Sequence, residues 1–415
     1  AVTGNPPPFA NTPLMKTNLN DTQQLLADAV RLHTGAKLEE AAVAYRKLLD
    51  ADPGNIDGLH LHGVLECQSG HYSEALNLID AAISRNDGVS AFHGNRAIVL
   101  KQLGRDADAL VACDRALELD AANAEAWNNR GTVLHRLGRL DESLESFEHA
   151  ATLKPSFIEA LRGRAAVLRL LGRPAESLAA YDAAIARRPD DAGVHDGRGL
   201  ALQALGRWEE ALASHDRALA IRRDFADAHN HRGIVLAKLG RNPEALASFA
   251  MAISLRPNYA PSYNNRANTF REVGRHAEAL VDYEKAIALD PGYAEAHYNC
   301  GVVLDGLGRT EQAIAALNRA LAVREDYAEA LSFRGMAYAR LKRADEALSD
   351  CARAIALRPG FAEPWVTKSA VLRELSRLDE ALASAVEAVR LAPANAEAWS
   401  NQAVIPVSYT HLRAH

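Results

Sequence analysis

The chain has 415 residues, 48% hydrophobic but only 6% aromatic, so alanine and leucine carry the apolar burial, a balance that favours helices. Lysine and arginine (47) nearly cancel aspartate and glutamate (53), and a net charge of -6 excludes the basic excess of a nucleic-acid binder. Cys67, Cys113, Cys300 and Cys351 are far apart with no C-x-x-C pair, and no apolar run reaches the ~18 residues of a membrane span. These features argue against a disulfide framework, a zinc site and a membrane anchor, and for a reducing, cytoplasmic location.

Residues 1–21, with three consecutive prolines and no amphipathic period, read as a flexible leader without the apolar core of a secretory signal. From Thr22 the chain advances in steps of 34 residues to Asn395, giving eleven units that start at 22, 56, 90, 124, 158, 192, 226, 260, 294, 328 and 362. Each unit predicts two amphipathic helices around a break such as Leu137-Gly138-Arg139. Position 8 is always small, from Ala29 and Gly63 to Ser369, which lets a neighbouring backbone approach closely. Position 20 is Ala except at Ser143 and Ser177, and position 27 is Ala except at Leu48. Position 15 is Gly in eight units, Gly70 to Gly308, where a left-handed residue ends the first helix. Acidic residues such as Asp141-Glu142 open the second helix, and a proline at position 32 ends it in seven units. Residues 396–405 read as a truncated twelfth unit. Pro406 stands where its helix should continue, and 406–415, ending VSYTHLRAH, resemble translated sequencing adapter and are expected to be a non-native tail. The chain is then expected to be a fragment.

An aromatic or Leu at position 4 (Trp127, Leu161, Tyr263, Trp365) and an aromatic at 24 (Tyr45, Phe147, Tyr181, Phe249, Tyr283) join the small residues at 8, 20 and 27 and the proline at 32. Together they resemble the tetratricopeptide repeat family. The resemblance implies an all-α fold, a right-handed α-solenoid superhelix of stacked helix-turn-helix hairpins with first helices on the concave face. It also implies a protein–protein interaction scaffold. Cys113 and Cys351 replace the aromatic at position 24 as small core residues.

Position 7 departs from the family's leucine: it is Arg96, Arg130, Arg164, Arg198, Arg232, Arg266 and Arg334, with Lys368 in the last unit. Position 25 of the same units holds Asp114, Glu148, Asp182, Asp216 and Glu284, so salt bridges within each hairpin are expected rather than a ligand-binding ladder. The first unit reverses the signs, with Asp28 and Arg46.

The resemblance places positions 2, 5, 6, 9, 12 and 13 in the groove. Position 6 carries Asn95, Asn129, Asn265 and Asn299, with Asn128, Asn230, Asn264 and Asn268 nearby. This series is similar to the asparagine ladder in the repeats of O-linked N-acetylglucosamine transferases and SPINDLY-type relatives. Amides donate to and accept from an extended peptide backbone, although asparagines that simply solvate a helix face would leave the same pattern. Gly163, Gly197 and His231 interrupt the series. Lys101, His135, Arg169, Lys238, Arg271 and Arg373 add a basic strip, and position 2 an acidic margin, which suits an acidic or mixed-charge peptide.

Histidines at i, i+2 (His60/His62, His229/His231) point to different helix faces and cannot form a helical metal pair. No phosphate loop, nucleophile elbow or dinucleotide fingerprint occurs. No catalytic residue, metal or cofactor is therefore expected. The expected function is a scaffold that binds an extended peptide or partner segment in its groove, without nucleic acid or membrane. The alternative is the substrate-recognition array of a SPINDLY-like glycosyltransferase whose catalytic domain is missing. End-to-end self-association through the uncapped C-terminal repeat is a further expectation.

Overall fold

The structure, a computed structural model, describes residues 19–413, with side chains for 21–404. Its helices fall into two compact units divided between Gly206 and Arg207. The first unit holds α1 (Leu19–Thr34), α2 (Leu38–Ala51), α3 (Ile56–Gln68), α4 (Tyr72–Arg85), α5 (Ser90–Gln102), α6 (Asp106–Leu119), α7 (Ala124–Arg136), α8 (Leu140–Leu153), α9 (Ile158–Leu170), α10 (Pro174–Arg187) and α11 (Ala192–Ala204). The second holds α12 (Trp208–Ile221), α13 (Ala226–Lys238), α14 (Asn242–Leu255), α15 (Ala260–Glu272), α16 (His276–Leu289), α17 (Ala294–Gly306), α18 (Thr310–Val323), α19 (Ala328–Arg340), α20 (Ala344–Leu357), α21 (Ala362–Glu374), α22 (Leu378–Leu391) and α23 (Ala396–Arg413). No strand occurs among the described residues. Each unit is a solenoid of stacked hairpins, in which a first helix packs on its own second helix and on the hairpin before it.

Helix α1 begins at Leu19, three residues ahead of Thr22, and residues 1–18 of the expected leader lie outside the described residues. At the other end α23 runs through Pro406, so the backbone carries no break there despite the lost donor.

The turn at position 15 closes each hairpin. Eight glycines adopt φ between +71° and +86°, and Ala36, Lys342 and Ser376 occupy the same left-handed conformation at +56°, +59° and +59°. The amide of Arg105 reaches back to the Leu100 carbonyl and that of Gly104 to Lys101, a pairing that satisfies the helix-end carbonyls.

Close approach explains position 8. A Cβ on Gly233 would lie 2.6 Å from Phe249 Cε1, and one on Gly63 2.7 Å from Ile79. Where position 20 is serine, the hydroxyl is put to use: Ser143 and Ser177 donate to the position 8 carbonyls of Gly131 and Ala165, each at 2.7 Å. Cys113 and Cys351 are fully buried in the core, and burial pushes both thiols up to about 12.

The arginine series corrects the expected pairing. Arg96, Arg130, Arg164 and Arg198 bind Asp80, Asp114, Glu148 and Asp182 at 2.6, 2.8, 3.2 and 2.7 Å, and Arg232 binds Asp216 at 2.6 Å. Each partner belongs to the preceding hairpin rather than to the arginine's own. The reason is angular: position 8 faces its own second helix, and position 7, 100° round the axis, turns toward the helix before. Arg130 and Arg232 also donate to Ser146 and Ser248 of their own hairpins, at 2.8 and 2.6 Å, so one guanidinium ties three helices. In two units the own-hairpin serine is an aspartate, and the bridge then stays inside: Arg266–Asp282 and Arg334–Asp350, both 2.6 Å.

Candidate functional site

The faces of the first helices gather the polar groups that the second helices do not. In the second unit the asparagines link successive hairpins. Asn230 Oδ1 accepts from Asn265 Nδ2 at 3.2 Å and from Ser262 at 3.1 Å, and Asn264 Oδ1 accepts from Asn299 Nδ2 at 3.3 Å. Arg271 donates to Asn299 Oδ1 at 3.2 Å, and the Tyr283 hydroxyl to Asn268 Oδ1 at 2.6 Å. Asn230 and Asn264 are buried, so these amides first of all hold α13, α15 and α17 together. Asn265, Asn268 and Asn299 are half-buried at the edge of that chain.

In the first unit Asn95 Nδ2 lies 2.8 Å from His60 Nε2. Asn129 is half-buried with no partner among the described residues, and Asn128 Oδ1 is buried without one. The two glycines that interrupt the series have a steric cause. A Cβ on Gly163 would lie 2.5 Å from Phe147 Cε1, and one on Gly197 would strike the Tyr181 ring. The aromatic of the preceding hairpin fills the space that an asparagine would need.

The charges divide differently from the sequence expectation. Position 2 is not a free acidic margin, because position 31 of the same hairpin answers it: Lys154–Glu125 at 2.7 Å, Arg188–Glu159 at 3.7 Å, Arg256–Asp227 at 2.9 Å, Arg324–Glu295 at 3.3 Å and Arg358–Glu329 at 2.7 Å. Several of these cations also lie over the ring at position 34, as Arg358 does over Phe361 at 3.9 Å. Beside the basic strip, at position 13, Arg136 pairs with Asp106 and Arg340 with the buried Asp305. Lys101, His135, Arg169, Lys238 and Arg373 make no ion pair among the described residues, and Arg169 Nε is buried with no acceptor. In the second unit Met336, Ala339 and Val366 floor a cleft of about 410 Å³ whose rim carries Arg340, Glu363 and Glu397. Glu363 is a position 2 acid without its usual base, since position 31 of that hairpin is Ala392.

Two arrangements had no sequence expectation. At position 4, His93, His195, His229 and His297 donate from Nε2 to backbone carbonyls six residues earlier, at 2.8 to 3.1 Å. Trp127 and Tyr263 do the same at 3.0 and 3.1 Å. The signal was present: all three residue types bring an apolar ring with a donor at its tip. The second is a buried carboxylate, Glu66, which accepts from His62 at 3.1 Å and from His71 at 2.6 Å. Burial lowers the His62 pKa from its ordinary value, against the pull of Glu66.

No described helix is long and apolar enough to cross a membrane. Models described as tetratricopeptide repeat match residues 61–124 and 301–360, and 124–157, and one described as TPR repeat matches 199–240 and 267–308. Together they cover more than half of the chain. No curated protein matches it. Among solved structures, the APC/C hetero-tetramer Cut9-Hcn1 is 15% identical over 92% of this chain and 96% of its own, with a TM-score of 0.49. YrrB, a TPR protein with an unusual peptide-binding site, is 24% identical over 45% of this chain and 96% of its own, at 0.39. A tetratricopeptide repeat protein from Parabacteroides merdae is 16% identical over 60% of this chain and 98% of its own, at 0.51, a likeness of fold. With its small-residue hairpin contacts, position 15 turns and matched models, the chain belongs to the tetratricopeptide repeat family.

Proposed function

We propose that the chain is a protein-interaction scaffold whose first-helix faces hold an extended peptide or partner segment. The working part is residues 22–395, with 396–405 as a truncated unit and 406–415 foreign to the repeats. The observation that supports this most directly is the contrast between the two faces. Many second helices open on a local ion pair, as in Arg173–Glu176 at 2.6 Å, whereas Asn128 and Arg169 on the first helices hold buried polar atoms with bonding capacity left over. Asn265 gives an Nδ2 hydrogen to Asn230 and keeps its Oδ1, while Asn299, bonded through both Nδ2 and Oδ1, keeps one hydrogen and one lone pair, a capacity that suits a peptide backbone of any sequence. A displayed library of unstructured peptides tests this. Enriched peptides should photo-crosslink to α13, α15 and α17, and Asn265→Ala/Asn299→Ala should reduce their capture at least tenfold. Crosslinks confined to the second helices, or no enrichment over an unrelated helical protein, would refute it.

The same asparagines support a second reading, in which the array selects substrates for a glycosyltransferase domain encoded downstream. A downstream frame without such a domain would remove it.

A further inference from the structure

The first unit differs from the second in the charge of its first-helix face. Positions 2, 5, 6, 9, 12 and 13 of α5, α7 and α9 hold only two acids, Glu125 and Glu159, and both are engaged by bases of their own hairpins, Lys154 and Arg188. Carboxylates on flanking helices are engaged too: Asp106 by Arg136, Glu66 by His62 and His71, and the buried Asp196 of α11 has a partner of its own. Lys101, His135 and Arg169 occupy position 12 of three consecutive hairpins, and Arg162 stands two turns before Arg169 on α9. None of these four makes a hydrogen bond or ion pair among the described residues. Position 12 opens between first helices: in the second unit Arg271 at this position reaches Asn299 of the next hairpin, and Asp305 receives Arg340 from the next. Lys101 and Arg169 therefore stand in a row with unmet bonding capacity and no internal anion.

We propose that this row binds an acidic peptide in an extended, polyproline-like conformation, with an Asp or Glu at every third residue. This rests on the scaffold reading above and adds the chemistry of the partner. The spacing supports it. Neighbouring helices pack about 8–10 Å apart, and a polyproline II chain repeats the same face every three residues, about 9.3 Å. One carboxylate thus meets each hairpin: the first at Lys101, the second at His135, the third at the Arg162–Arg169 pair, where guanidinium groups grip a carboxylate through two N–H donors. The position 6 residues alongside, Asn95 and Asn129, are half-buried with amide atoms left for the peptide backbone, and Gly163 leaves the backbone of α9 open to close approach. Phosphate would satisfy the same cations, but these positions of α5, α7 and α9 hold no Phe, Tyr or Trp on which bases could stack.

Fluorescence anisotropy on the full chain tests the assignment with four labelled probes: a repeating Glu-Pro-Ala peptide, its Gln-Pro-Ala counterpart, a peptide of the first composition with its glutamates in one block, and an oligouridine. The expected result is that the repeating glutamate peptide binds at least tenfold tighter than the other three. Lys101→Ala/Arg169→Ala should abolish that preference with an unchanged helical spectrum, and Lys285→Ala/Arg319→Ala, which removes exposed cations of the second helices, should retain it. Equal binding of the Glu and Gln repeats overturns the acidic row while leaving the scaffold reading in place. Tighter binding of the oligouridine overturns it in favour of phosphate, and binding by Lys101→Ala/Arg169→Ala at wild-type strength overturns the assignment to these residues. Binding of none of the probes overturns it as well, and the library selection then decides separately whether any peptide binds.

Discussion

Gly163 and Phe147 make a size pair that can be inverted. Phe147 is 3% exposed, and its ring lies under two first helices, so that a Cβ would come within 3.0 Å at Gly131 and 2.5 Å at Gly163. Placing Asn at 163 forces that ring aside, an overpacking that costs about 1–3 kcal/mol, less a few tenths regained because Asn suits a helix interior better than Gly. The net expectation for Gly163→Asn is about 1–2 kcal/mol of destabilisation. Truncating the ring in Phe147→Ala leaves a cavity and costs about 3–5 kcal/mol alone. In the double variant the asparagine enters space that the ring has vacated, so the losses should fall short of their sum by about 1–2 kcal/mol. Asn265 and Asn299 follow Phe249 and Tyr283, so a ring in the preceding hairpin does not by itself bar asparagine, and the cycle tests the placement of the Phe147 ring against residue 163. Urea unfolding followed by helical circular dichroism, arranged as a double-mutant cycle, gives the coupling. Additive losses would refute the claim that the ring excludes an asparagine from 163.

Three further outcomes follow from the packing. Ser376 sits at φ +59°, where a Cβ is strained, so Ser376→Gly should stabilise the last hairpins by about 0.5–1 kcal/mol in thermal denaturation. Arg334→Ala leaves the 4%-exposed Asp350 without its bidentate partner and should cost about 3 kcal/mol. Arg198→Ala, whose partner Asp182 is half exposed, should cost at most about 1 kcal/mol; similar losses for both would contradict the role given to burial. His62 has a folded pKa below its ordinary 6.5, so the unfolded chain binds the proton more readily and stability declines as pH falls through 6.5. His62→Phe should flatten that part of the stability–pH profile, as read by denaturant midpoints between about pH 7 and 5.

The hairpin plan was legible because its cause is local. A small residue at 8, a left-handed residue at 15 and alanine at 20 and 27 each answer a contact within one hairpin, and a single unit displays them all. The arginine partners were not legible in the same way. Position 25 offers an acid in the same unit and another in the unit before, at equal chemical merit. Only the angle between positions 7 and 8 separates Asp114 from Glu148 as the partner of Arg130. The asparagines show the same limit on the face of the first helices. Asn264 and Asn299 differ by one position in the repeat, yet they form one hydrogen bond across hairpins, so part of the supposed binding capacity belongs to the stack. Gly163 was a gap in a pattern on paper, and becomes a requirement once Phe147 is seen beneath it.

The arginine that reaches back to the preceding hairpin also bears on how such a chain can change its length. If residues 124–157 were deleted, Arg164 would arrive opposite Asp114, the carboxylate that Arg130 now holds, and the guanidinium would find an acid at the same position of the repeat. A deletion that is not a whole 34-residue step would take Arg164 out of register with position 25 of the hairpin before it. Duplication obeys the same rule. Where these bridges run, from Asp80 to Arg232, the contact that ties neighbours together thus also sets the quantum in which the array can grow or shrink by recombination, and leaves a seam chemically equivalent to the one it replaced.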